Sequence, residues 1–151
     1  MSQLNTMEDF QRDISYKLLK RSDKEATLTA LMRDRFHDVE LNITVNPETM
    51  EILAAGVEFR KCPTTDCQNV HARLSGLVGF TIGKGLNKKI IEVMGGGEGC
   101  GNLRNLLLGL LPLALNLRAA AGIKDEREML DTIHEQLRGS CAGYANPVPT
   151  R

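Results

Sequence analysis

Between residues 39 and 46 the chain alternates without a break: Val39, Leu41, Ile43 and Val45 on one side, Glu40, Asn42 and Thr44 on the other. A two-residue period is the geometry of a β-strand, whose successive side chains leave on opposite faces. Wound as a helix, the same residues would scatter their apolar groups around the whole circumference. The segment is therefore a strand with one buried and one wet face, and such a strand needs neighbours. They are at hand. Asp13–Lys20 sets Ile14, Tyr16 and Leu18 on one face, "RSDKE" turns the chain, and Ala26–Arg33 alternates threonine with Leu28, Ala30 and Met32. "NPET" (residues 46–49) is a turn whose proline presets φ. Residues 51–60 return with Leu53, Ala55, Val57 and Phe59 on one side. Short turns between such segments predict an antiparallel β-meander of three to four strands.

After Lys61 the pattern changes to helices. "CPTTDC" reads as a loop, residues 69–77 as a short helix and "GFTIGKG" as a glycine-punctuated connection. A helix over residues 87–94 takes Asn87 as its N-cap. Residues 102–121 form a long leucine-rich helix, opened locally by Pro112 and ended by Gly122. The last helix, residues 125–138, has Asp125 and Glu126 in its first turn, Arg138 in its last and Gly139 as its stop. Its stripe of Met129, Leu130, Ile133 and Leu137 is expected to face the sheet. Strands first and helices second predict an α+β fold, with the C-terminal helices packed on one face of the meander. With 151 residues the chain suits a single domain, with an ordered core over about residues 10–139 and a flexible tail over 142–151.

Lys plus Arg and Asp plus Glu balance at 19 each, and aromatic residues make up 4% with no tryptophan. No global field recruits a polyanion and few rings are available for stacking on bases, so no nucleic-acid partner is expected. The polar start "MSQLNTMEDFQRD" lacks the basic and apolar runs of a signal peptide. The longest apolar stretch, residues 106–117, is shorter than the ~20 residues that cross a bilayer. The expected location is the cytoplasm, without membrane partners, where the four cysteines are reduced thiols, metal ligands or redox groups rather than structural disulfides.

The candidate site lies in "EVMGGGEGCGNLRNLL", where Cys100 stands at the mouth of the leucine helix. Free N–H groups and partial positive charge at a helix N-terminus favour a thiolate. The flanking glycines, with Gly99, Gly101 and Asn102 as cofactor-binding candidates, let backbone approach whatever the sulfur meets. His37 precedes the clearest strand on the side of Val39 and Leu41, beneath the helices, with Asp38 as a second ligand or orienting group. Cys62 and Cys67, spaced Cys-x4-Cys, follow the last strand, and Cys141 is a further thiol. Against these stand plain structural roles: a satisfied rim histidine, ordinary loop thiols and a tight Gly-Cys-Gly turn around a small buried residue. "GFTIGKGLNK" approaches a phosphate loop but lacks the spacing and the final hydroxyl residue.

On "FHDVELNI", "GLVGFTIGKG" and "GGGEGCGNLRNLL" the chain resembles a bacterial domain-of-unknown-function family over most of residues 10–121. In that family a histidine often stands two positions after the glycine-preceded cysteine, where this chain has Asn102. More loosely, "HDVELNITVNPETMEILAAGVEFRKC" and "GCGNLRNLLLGL" are similar to the iron–sulfur cluster assembly scaffold family. That likeness implies that Asp38 and Cys100 match metal-holding residues, with His37 near a position usually taken by cysteine. Three functional expectations result. One is a zinc or iron–sulfur centre on His37 and Cys100, completed by Cys67 and by Asp38 or Cys62. The second is a non-catalytic interaction module, a homodimer through the leucine helix. The third is a thiol redox or sulfur-transfer protein centred on Cys100, with Cys67 or Cys141 resolving.

Overall fold

The structure is a computed structural model that describes residues 9–119 and 121–150. Strands β1 (Asp13–Lys20), β2 (Ala26–Arg33), β3 (Asp38–Val45) and β4 (Ile52–Lys61) form one antiparallel sheet in chain order. Helices α1 (His71–Leu74), α2 (Leu86–Met94), α3 (Gly101–Leu110), α4 (Leu115–Ala119) and α5 (Glu126–Gln136) follow. The fold is thus α+β, a meander followed by C-terminal helices, as the two periodicities predict.

Register explains the core. Leu28 pairs with Ile43, Ala30 with Leu41 and Met32 with Val39, so every second residue of both central strands points to the helical side, and all are buried. Leu103, Leu106, Leu107 and Leu110 of α3 meet them, with Ile90 and Met94 of α2 alongside. Each such side chain contributes about 1.5–3 kcal/mol by leaving water. The opposite face of the sheet is polar: Arg60 joins Glu40 at 2.8 Å and Asp38 at 3.6 Å, and Thr29 donates to Asn42 Oδ1 at 2.9 Å.

Four expectations are corrected. In β4 the register slips between Thr44 and Val45, so that Val45 pairs with Ile52 while Thr44 pairs with Ala54. The bulge turns Leu53 outward, 43% exposed, and puts Ile52 in the core instead. Helix α2 begins at Leu86 with Gly85 as its cap, in a left-handed conformation (φ +84°) suited to glycine; Asn87 lies inside the first turn. The leucine segment is no single helix: after α3 a 3-10 turn, Leu111–Ala114, carries Pro112 before α4 begins. Proline supplies no N–H to the ladder, so the chain tightens there. Helix α5 is capped by Asp125, whose Oδ2 accepts the Glu128 N–H at 3.1 Å, but none of its residues is buried. Leu130 is 59% exposed. The sheet is covered by the earlier helices, and α5 packs on α4.

Helix α3 and β1 approach each other closely at Gly109. A Cβ there would collide with the Tyr16 ring and hydroxyl, so glycine is what lets β1 come near. In the C-terminal tail Ala142–Tyr144 forms a 3-10 turn, the Gly139 N–H donates to the Tyr144 carbonyl at 2.7 Å, and His134 meets the Tyr144 ring edge-on at 5.2 Å. Among the described residues no helix is long and apolar enough to cross a membrane.

Candidate functional site: a thiol cleft beside a glycine hinge

Strand β4 runs out at Lys61 into Cys62 and Pro63, and a 3-10 turn over Thr65–Val70 carries Cys67. Thr64 organises both thiols. The Cys62 thiol donates to the Thr64 carbonyl at 3.0 Å, and the Cys67 sulfur stands 3.9 Å from Thr64 Oγ1. Burial pushes the Cys62 thiol up from its ordinary 9.0, and the hydrogen bond and charge of the neighbouring Cys67 push it further.

The glycine hinge arrives from the other side. After α2 the Cys100 N–H donates to the Met94 carbonyl at 3.1 Å, which folds the loop back on the helix end. A Cβ at Gly99 would collide with that same Met94 carbonyl, so glycine here makes room for the chain itself. Gly97 is open on all sides and Gly101 has only the Arg104 side chain nearby at 3.8 Å. Cys100 then caps α3 in an extended conformation, its half-buried side chain leaning on the core.

Cys67 and Cys100 line one cleft of about 740 Å³, together with Asp66, Arg73 and Glu98. Arg73 is its fixed wall: Nε donates to the Val93 carbonyl at 3.0 Å and Nη2 to the Glu92 carbonyl at 3.1 Å. Its guanidinium thereby satisfies the last carbonyls of α2 and stands 3.9 Å from the Glu98 carboxylate. A second hollow, about 630 Å³ along α5, is lined by Asp125, Glu128 and Asp131 among others and has neither thiol nor histidine. The cleft with the sulfurs is the candidate site.

His37 lies elsewhere. Its Nδ1 is 2.9 Å from Asp34 Oδ1 and its Nε2 is 3.3 Å from Asn102 Nδ2. Arg12 closes the ring, with Nε on Asp34 Oδ2 at 2.7 Å and Nη1 on Asn102 Oδ1 at 3.0 Å. The partners dictate the protons. Arginine only donates, so Asn102 must turn its oxygen to Arg12 and its NH2 to the imidazole. Nε2 therefore accepts, and Nδ1–H donates to the carboxylate. The Asp34 side chain has 0% exposure and also accepts the Phe36 and His37 amides, each at 2.8 Å. Burial by itself pushes the Asp34 carboxyl up, but hydrogen bonds from His37, the Phe36 amide and Arg12 outweigh it and hold the carboxyl at about 2.

The sequence-predicted set is thus divided among four places. The sheet rim and the mouth of α3 do meet, but through His37 and Asn102, and both imidazole nitrogens are engaged there. Asp38 points to the polar face of the sheet, where it pairs with Arg33 at 3.4 Å and Arg60 at 3.6 Å. Cys62, Cys67 and Cys100 gather at the cleft side, while Cys141 is exposed on the tail. Among the described residues no three His, Cys, Asp or Glu side chains are grouped to hold a metal. Arg12 and Asp34 escaped sequence reasoning. Asp34 had a local signal, since aspartate often bonds the amides two and three residues on. Arg12 had none, because its partners lie far along the chain.

No curated protein and no solved structure matches this chain. Residues 10–115, which carry the sheet, the glycine hinge and all three cleft-side cysteines, match a known family over more than half of the sequence. The chain belongs to the family described as "Protein of unknown function (DUF2889)".

Proposed function

We propose that the protein is a thiol redox protein whose working pair is Cys100 and Cys67. The observation that carries this reading is that these two cysteines, distant in sequence, line one cleft, with Cys62 acting on Cys67 from behind. Cys100 stands at the N-cap of α3 and is the attacking cysteine. With a small disulfide as oxidant, the Cys100 thiolate forms a mixed disulfide and releases one thiolate. Cys67 then attacks the Cys100 sulfur and releases the second. Two protein thiols are oxidised, one external disulfide becomes two thiols, and two protons leave the protein. Closing the bond requires the sulfurs to reach about 2.05 Å, a movement for the Cys67 turn and the glycine hinge. Cys62, hydrogen-bonded to the Thr64 carbonyl at 3.0 Å, positions Cys67.

The test is titration with oxidised glutathione followed by peptide mapping. A Cys67–Cys100 disulfide is expected in the natural chain, and a glutathione adduct on Cys100 should persist in Cys67→Ser. Alkylation of Cys100 should outpace that of free cysteine at neutral pH. If Cys100 is no more reactive than free cysteine and no bond to Cys67 forms, the reading fails. Elemental analysis of the untagged protein decides the competing zinc or iron–sulfur reading, which requires near-stoichiometric metal that is lost in Cys100→Ser.

A further inference from the structure

Strand β1 is the outer strand of the sheet, and among the described residues nothing pairs with its far side. We infer that this edge pairs with the same edge of a second copy, antiparallel and about a two-fold axis through Ser15, joining two four-stranded sheets into one.

The backbone sets which amides are available. The Arg21 N–H donates to the Glu25 carbonyl at 2.9 Å at the start of the β1–β2 ladder. Alternation along an antiparallel pair then sends the amides of the odd residues of β1 inward, and those of Ile14, Tyr16 and Leu18 outward to the free edge. A two-fold axis normal to the sheet keeps each copy's apolar face on the same side, so a residue must pair with one of the same parity.

Charge then selects the register. Centring on Lys17 sets two lysines opposite each other, and centring on Tyr16 sets Asp13 against Leu19. Centring on Ser15 sets Asp13 of each copy opposite Lys17 of the other, in non-hydrogen-bonded positions where side chains stand closest. In that register Ile14 meets Tyr16 across the axis twice. Both lie on the helical face of the sheet, in register with Met32 and Ala30, yet at this outer strand they stay 46% and 39% exposed respectively. Phe10 and Phe36, stacked at 6.1 Å between ring centroids, are two further exposed apolar side chains, at 41% and 40%. An open edge with such side chains is what a sheet buries by adding a strand. This contact is distinct from the leucine segment and independent of the thiol chemistry.

Sedimentation velocity of the full chain across a concentration series is the first measurement, and a monomer–dimer equilibrium is expected. Asp13→Lys or Lys17→Asp should each weaken association about tenfold, since each places two like-charged pairs across the axis. The double exchange Asp13→Lys with Lys17→Asp should restore it. Far-UV circular dichroism should be unchanged in all three, since both residues are exposed. Hydrogen exchange at the Ile14, Tyr16 and Leu18 amides should slow as concentration rises. A monomer at every concentration overturns the inference, as does a dimer indifferent to the charge exchange. So does protection of those amides that does not depend on concentration, which would mean that the same chain covers the edge.

Discussion

Asp34→Asn removes the charge of the rim network. The side-chain oxygen that receives the Phe36 and His37 amides at 2.8 Å each remains in asparagine, so the turn is kept. What is lost is the negative charge between Arg12 and the imidazole, together with the Oδ2 acceptor of the Arg12 Nε–H. The carboxyl's ordinary 3.8 falls to about 2 in the folded protein, which corresponds to about 2.4 kcal/mol favouring the ionised form. Its partner Arg12 is 34% exposed and solvent screens part of this, so about half, roughly 1.2 kcal/mol, is expected. For a chain of this length that lowers Tm by roughly 3–5 °C. The pH dependence is the sharper test. A carboxyl whose folded pKa is depressed stabilises the fold above its unfolded pKa and loses that contribution as pH falls through the folded one. The gap between wild type and Asp34→Asn should therefore be full at pH 7 and pH 5, shrink below about 3.8 and vanish near 2. Urea midpoints measured at each pH give the gap directly. A gap that is absent at pH 7, or equally large at pH 7 and pH 2, refutes the electrostatic account of this network.

Gly99→Ala should cost at least about 2 kcal/mol, because the new methyl meets the Met94 backbone carbonyl, whereas Gly97→Ala, with open space around it, should stay within about 0.5 kcal/mol; thermal melts of the pair measure the difference. Leu107→Ala should cost about 2–5 kcal/mol in urea unfolding, since the side chain is fully buried within the chain. A small cost accompanied by loss of association would instead mean that Leu107 serves a partner surface.

Much of the molecule was legible from local pattern. Alternation placed the strands of the meander, and the acidic start at Asp125 and Glu126 with the Gly139 stop placed α5. These features depend on residues near one another in sequence, where side-chain direction follows from backbone geometry alone. The bulge that expels Leu53 was invisible, because the spacing of Leu53, Ala55, Val57 and Phe59 is regular and only pairing with β3 breaks it. The leucine segment misled for a related reason. Its apolar circumference called for more cover than one sheet supplies to a straight helix, but the turn at Pro112 lets Leu111 and Ala114 enter the core as well. In α5 a sound amphipathic stripe forms without being buried, since a stripe records only which face is apolar and not whether anything lies against it.

The same division runs through the site. From the sequence alone came the sheet, the order of strands and helices, and the placement of a thiol at the N-terminus of α3, each dictated by periodicity and capping over a few residues. Only the tertiary structure decided which groups meet. His37 turned to Asp34 and Asn102 because a carboxylate and an amide could satisfy both ring nitrogens at the rim, and Asp38 turned to arginines because the strand put it on the opposite face. Cys100 came to share a cleft with Cys67 because the Gly99 hinge folds back on α2. Such pairings join residues remote in the chain, and they are set by packing and hydrogen-bond completion, which no local pattern encodes.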